Sequence, residues 1–213
     1  MDSSDSGNQQ LLAIKQFFIQ YSRIIVVGVV VLCLIIFGGH YWKKQRQISF
    51  ANASLIYQEM VLAELQSDIA TAKSKGDVLI SEYAGTPYAV MSALLLAKIA
   101  VVENNLDVAA EKLTWVIKNG NANPAKHLAN TRLAAVLQQQ NKLDEALALV
   151  SKDPDPAYIT LYAQARGDIY VAKGDLDKAR EAYVQALQNL PQGTQAPLLQ
   201  MKLLDTGGGQ PNA

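Results

Sequence analysis

The chain has 213 residues, half of them hydrophobic, enough for one domain of ordinary size and a short appendage. Lys plus Arg equals Asp plus Glu at 19 each, so no excess of charge points to nucleic acid or to an acidic substrate. Its one cysteine, Cys33, excludes an intrachain disulfide and says nothing about the redox compartment.

Within residues 1–23, Leu11, Ile14, Phe18 and Tyr21 recur at helical spacing among Gln, Lys and Ser, which predicts a short amphipathic helix at a membrane surface. From Ile24 to Trp42, 19 residues pass without Asp, Glu, Lys or Arg. A helix of that length rises roughly 28 Å, close to the hydrocarbon thickness of a bilayer. The segment is apolar all round, and Tyr41 and Trp42 stand at its edge, where aromatic rings rest among lipid headgroups. A transmembrane helix over 24–42 is therefore expected. The run is too long for a cleaved signal peptide and ends in Gly-Gly-His-Tyr-Trp-Lys-Lys, without a small-x-small cleavage site. Lys15 and Arg23 precede the span, and Lys43, Lys44 and Arg46 follow it; a lean of one charge towards a cytoplasmic C-terminus leaves the orientation open.

Residues 43–204 read as an all-α domain. Ile48 to Ala72 predicts one helix, followed by a turn around Lys75-Gly76-Asp77 and a short segment through Tyr83. Gly85-Thr86-Pro87 is a helix start with proline at the first helical position. A hexapeptide pattern (small-polar, any, Leu, Asp, any, Ala) then occurs three times: Asn104 to Ala109, Asn141 to Ala146 and Gly174 to Ala179. The alanines stand 37 and 33 residues apart, which brackets the tetratricopeptide period of about 34 residues. Three helical hairpins are expected, at about 87–119, 126–157 and 160–191, in a tetratricopeptide-like α-solenoid.

In the third copy, Gly167 and Ala179 are expected to face one another at a close helix approach, with Tyr170 and Tyr183 filling the remaining volume. Gly174 supplies the turn and Pro191 ends the second helix. Arg166 and Ala163 depart from the repeat signature, which places an apolar residue and a tryptophan there. Ala109 and Ala146 are the matching small residues of the first two copies. Asp107, Asp144 and Asp177, at helix starts, are expected to cap them. Gly207-Gly208-Gly209-Gln210-Pro211 predicts a disordered tail over 205–213.

Catalytic chemistry finds little support. His40 and His127 have no Glu or Asp partner at metal-ligand spacing, and no glycine-rich phosphate loop precedes a helix. Arg166-Gly167-Asp168 falls inside a predicted helix. The expectation is a non-enzyme without cofactor, metal or small-molecule substrate. A stack of hairpins instead offers a concave groove for peptides or partner helices. By repeat offset its candidate lining is Leu94 and Lys98, then Thr131 and Gln138, then Gln164, Asp168 and Val171. The mixed chemistry argues against a cluster of cations that clamps a terminal carboxylate.

With an amphipathic N-terminus, one membrane span ending in Tyr-Trp-Lys and this repeat domain, the chain resembles the YfgM family of Gram-negative bacteria. The likeness is carried by Ala13-Ile14-Lys15-Gln16-Phe17-Phe18, His40-Tyr41-Trp42, Ala53-Ser54-Leu55-Ile56-Tyr57, Thr131-Arg132-Leu133-Ala134, Ala165-Arg166-Gly167-Asp168 and Gln200-Met201-Lys202. The resemblance implies an ancillary subunit of the Sec translocon, anchored in the inner membrane with its N-terminus in the cytoplasm and its repeats in the periplasm. It further implies association with the SecYEG channel and with the membrane-anchored periplasmic chaperone PpiD, and a link to the Rcs stress response. The leading expectation is an adaptor that assists proteins emerging into the periplasm. The alternative is a membrane-tethered regulatory or assembly scaffold of a stress-signalling pathway, facing the cytoplasm.

Overall fold

The computed structural model describes residues 48–207, apart from 121 and 153. The chain divides into two compact units, Met1–Ala51 and Asn52–Ala213, and the architecture below is that of the second. The amphipathic segment, the expected membrane span at 24–42 and the end of the tail lie outside the described residues. Among the described residues no helix is long and apolar enough to cross a membrane.

The described residues are all-helical, with no strand. Helix α1 covers 48–65, of which 52–65 belong to the second unit. It is followed by α2 (Ile69–Glu82), α3 (Pro87–Val102), α4 (Leu106–Asn119), α5 (Asn123–Gln139) and α6 (Leu143–Val150). A 3-10 turn, Pro156–Tyr158, leads into α7 (Ile159–Lys173), α8 (Leu176–Gln188) and α9 (Pro197–Asp205). Consecutive helices pair into hairpins α1/α2, α3/α4, α5/α6 and α7/α8, and α9 closes the stack against α8.

One turn is used four times. Ser67, Asn104, Asn141 and Gly174 hold the left-handed conformation, with φ of 61°, 58°, 59° and 77°. The next residue in each case donates its N–H to the carbonyl five positions back: Asp68 to Ala63, Asn105 to Ala100, Lys142 to Leu137 and Asp175 to Tyr170, at 2.8 to 3.0 Å. This closes the outgoing helix and aims the chain back along it. Five residues beyond each turn residue stands an alanine with no exposed surface: Ala72, Ala109, Ala146 and Ala179. A fourth hairpin, α1/α2, thus precedes the three read from the sequence. The single helix expected over Ile48 to Ala72 is broken at Gln66 to Asp68. Asp68, which accepts from the N–H of Thr71 at 3.1 Å, starts the second helix there.

Gly76 is not in a turn but in the middle of α2. Its role is proximity: a Cβ there would come within 2.8 Å of the Met60 methyl carbon and 2.9 Å of Leu96. Gly167 on α7 serves the same purpose with the partners exchanged, since a Cβ on it would lie 2.3 Å from the ring of Tyr183. Ala179 is fully buried, but the closest neighbour of Gly167 is Tyr183.

The capping residues also differ from expectation. Asn105 and Asp175, not Asp107 and Asp177, accept the N–H bonds of Val108 and Lys178 at the starts of α4 and α8. Lys142 precedes α6 without a side-chain cap bond. The aspartates two residues on point outward. Asp107 accepts from Gln140 at 2.9 Å, and Asp144 pairs with Lys173 at 2.5 Å, each tying one hairpin to the next. Asp177 pairs with Arg180 on its own helix. At the C-terminal end, order continues past 204. Leu199 and Leu203 of α9 join Ala163, Ala179, Tyr183 and Ala186 in one apolar cluster, and Thr206 is buried while its carbonyl accepts from Arg180.

Candidate protein-binding surface

The first helices of the last three hairpins, α3, α5 and α7, stand side by side, and their shared face holds three adjoining hollows. The first, of about 420 Å³, lies between α3 and α5 and is walled by Leu94, Leu95, Val101, Val102, Ala135 and Val136, with Lys98, Arg132 and Gln139 at its edges. The second, of about 290 Å³, lies between α5 and α7 and includes Leu128, Thr131, Gln138, Leu161, Gln164 and Asp168. Arg132 and Ala135 belong to both. The third, of about 320 Å³, continues from Gln138 and Asp168 to Val171, Tyr183, Lys202 and Asp205. The first two volumes and their apolar walls suit several side chains of a peptide more than a polar metabolite.

All seven residues expected from the repeat offsets lie along this run, Leu94 and Lys98 in the first hollow and the other five in the second and third. They are not equally available. The Thr131 hydroxyl is buried and bonds the carbonyls of His127 and Leu128 within its own helix. Gln138 donates to the Asp168 carbonyl at 3.3 Å, bridging α5 and α7. The Asp168 carboxylate accepts from the Tyr183 hydroxyl at 2.8 Å and from Lys202 at 2.7 and 2.8 Å, which fastens α9 to α7 and α8. Burial, and then the bond to Asp168, raise the Tyr183 phenol above its ordinary range, so this hydroxyl stays a donor. Leu94, Gln164 and Val171 remain at the surface, and Lys98 is exposed but paired with Glu64 at 2.9 Å.

The offsets also locate two residues that were missed. Lys98 and Asp168 correspond to Ala135, and Gln138 and Val171 correspond to Val101, so an extrapolation through all three copies completes the rows. Arg132, one position off those rows, gives no repeat signal. The packing residues sit where the hairpins need them: Ala109, Ala146, Ala179 and Tyr183 are buried, and Tyr170 packs against the cluster around Tyr183.

The second departure from the signature, Arg166, has a structural use. It is buried, and its guanidinium donates to the Val150 carbonyl at 2.8 Å and to the Gln185 side-chain oxygen at 2.7 Å. Val150 ends the eight-residue α6, where the Ser151 hydroxyl donates to the Ala148 carbonyl at 3.1 Å. Arg166 supplies a donor to the carbonyl of Val150 itself, one of those that a helix end leaves without an intrahelical partner. Nearby, the His127 ring stacks on Tyr158 with centroids 4.0 Å apart, and its Nδ1 lies 2.9 Å from the Tyr162 hydroxyl, which also accepts from Asn130. Among the described residues no group of three or more His, Cys, Asp or Glu side chains could hold a metal ion.

Comparison with known proteins agrees with this architecture. The family described as tetratricopeptide repeat-like domain matches residues 15–208. A relative from Escherichia coli (strain K12), called ancillary SecYEG translocon subunit, is 29% identical over 95% of this chain and 98% of its own. A protein of the same name from Neisseria gonorrhoeae is 34% identical over 75% of this chain and 76% of its own. The crystal structure of BtubC from P. vanneervenii superposes with a TM-score of 0.57, covering 76% of this chain and 82% of that one at 18% identity, which is a likeness of fold. The helical hairpins, the match along residues 15–208 and the named relatives together place the chain in the tetratricopeptide repeat-like family of the ancillary SecYEG translocon subunits.

Proposed function

We propose that this chain is a non-enzymatic, membrane-anchored adaptor of the Sec translocon that binds other proteins with its helical repeats. The observation that carries the reading is the match to the Escherichia coli ancillary SecYEG translocon subunit, which extends over 95% of the chain and so takes in the apolar segment at 24–42 as well as the hairpins. Helix-lined hollows with aliphatic walls support protein binding, since large apolar side chains dominate the energetics of such contacts. In this reading residues 24–42 cross the inner membrane once, the N-terminus is cytoplasmic and the repeats face the periplasm. There the domain serves proteins leaving the channel and joins SecYEG to the membrane-anchored chaperone PpiD.

The test is a pull-down with the tagged full chain from detergent-solubilised membranes. Translocon and chaperone subunits are expected in the eluate at levels well above an unrelated single-span protein, and recovery of neither refutes the adaptor. A C-terminal alkaline phosphatase fusion checks the orientation independently. Phosphatase activity is expected, and its absence places the repeats in the cytoplasm.

A further inference from the structure

The charges on the concave face do not balance locally. Lys98 is matched by Glu64 at 2.9 Å, and Asp168 by Lys202 at 2.7 Å. Arg132, exposed between the aliphatic α3/α5 hollow and the mixed α5/α7 hollow, makes no ion pair among the described residues. An uncompensated guanidinium beside apolar walls favours one complementary pattern: large aliphatic groups with a carboxylate one side chain away. The same surface carries Gln139 and Gln164, whose carboxamides can pair with a peptide main chain but not with an acyl chain.

We propose that the α3/α5 hollow receives a protein segment whose aliphatic side chains enter between Leu94, Val101 and Val102 and whose Asp or Glu side chain meets Arg132. This deepens the adaptor reading and rests on it. Val102, 79% exposed, becomes covered in the complex, and the guanidinium sets the register of the bound segment. Segments with a Lys in place of the acid are disfavoured, because their charge meets Arg132 at short range with little intervening water.

The experiment uses the full chain in nanodiscs, with empty nanodiscs subtracted, and three labelled peptides rich in Leu and Val that differ at one central position: Glu, Gln or Lys. The Glu peptide is expected to bind about tenfold more tightly than the Lys peptide. Arg132→Glu reverses the order, Arg132→Gln levels it, and Val102→Ser weakens all three. Both positions are exposed, so the fold tolerates the changes, as circular dichroism checks. Equal affinity for the three peptides, an order unchanged in Arg132→Glu, or no binding of any of them overturns the proposal, and so does displacement of the Glu peptide by laurate. The outcome is separable from the adaptor reading. If the tagged chain still recovers the translocon while peptide preference ignores Arg132, this site fails and the adaptor stands.

Discussion

Gly167 lies directly under the ring of Tyr183, and in the first hairpin the same two repeat positions are occupied in reverse, by Met60 on the first helix and Gly76 on the second. The middle hairpins use intermediate sizes, Ala97 against Leu113 and Ala134 against Val150, all buried. A large side chain on one helix is offset by a small one on the other, so the helix spacing is kept while the residues change. This relation gives the repeat its regular geometry despite weak self-similarity.

Enlarging the small partner in the α7/α8 hairpin tests the relation. Gly167→Leu is expected to destabilise the domain by about 1–3 kcal/mol, because an aromatic ring held by its own hydrogen bond cannot move aside. Urea unfolding of the full chain measures it. Unchanged stability would refute the contact. Gly167→Ala combined with Tyr183→Leu recreates the Ala97/Leu113 pair and is expected to recover part of the loss of Gly167→Ala alone.

Gly76→Ala should be far milder. The obstructing atoms are the far ends of two side chains, the Met60 methyl at 2.8 Å and the Leu96 methyls at 2.9 and 3.0 Å, and these ends can shift. The gain of about 0.5–1 kcal/mol from replacing a mid-helix glycine by alanine offsets the remaining strain. A stability within about 1 kcal/mol of the parent is expected, and a loss as large as that of Gly167→Ala would contradict the distinction drawn between a methionine tip and a tyrosine ring.

Arg166→Met keeps the aliphatic bulk but leaves the Val150 carbonyl and the Gln185 side chain without this donor. A cost of about 1–3 kcal/mol is expected. Amide exchange should accelerate first in α6, a helix of only eight residues whose final carbonyl takes its bond from Arg166. Uniform acceleration along the chain would show that the guanidinium does not act as the terminator of α6.

The Asp175 carboxyl is held below its ordinary value of 3.8, first by the Lys178 side chain and then by the Lys178 N–H. The direction fixes the sign: the charged form is favoured by folding, so its contribution is present above 3.8 and fades as the pH falls through the lower folded value. The difference in melting temperature between the parent and Asp175→Ala should therefore be seen at neutral pH and shrink below the ordinary carboxylate range. A difference independent of pH would assign the effect to helix propensity.

The helix class and the three later hairpins were legible because Leu, Asp and Ala recur at fixed offsets from Asn104, Asn141 and Gly174. The first hairpin was hidden by two substitutions at those offsets, Ile69 for Leu and Ala70 for Asp, so Ser67 did not register as a turn. Gly76 was read as a breaker because glycine serves turns and close helix contacts alike, and only the position of Met60 separates the two. The aspartates read as caps because any acid in a first turn is favourable there; the partners of Asp107 and Asp144, Gln140 and Lys173, lie 33 and 29 residues away, and Asp177 pairs with Arg180 on its own helix. Arg166 registered as a departure, but its reason depends on the early end of α6, which no local pattern announces.

The bond from Arg166 to Val150 also makes one hairpin depend on the next. Helix α6 is finished by a side chain 16 residues downstream, and that side chain is itself braced by Gln185, a further 19 along. The last turn of α6 therefore completes its bonding only when α7 and α8 are packed beside it, which couples the third hairpin to the one that follows.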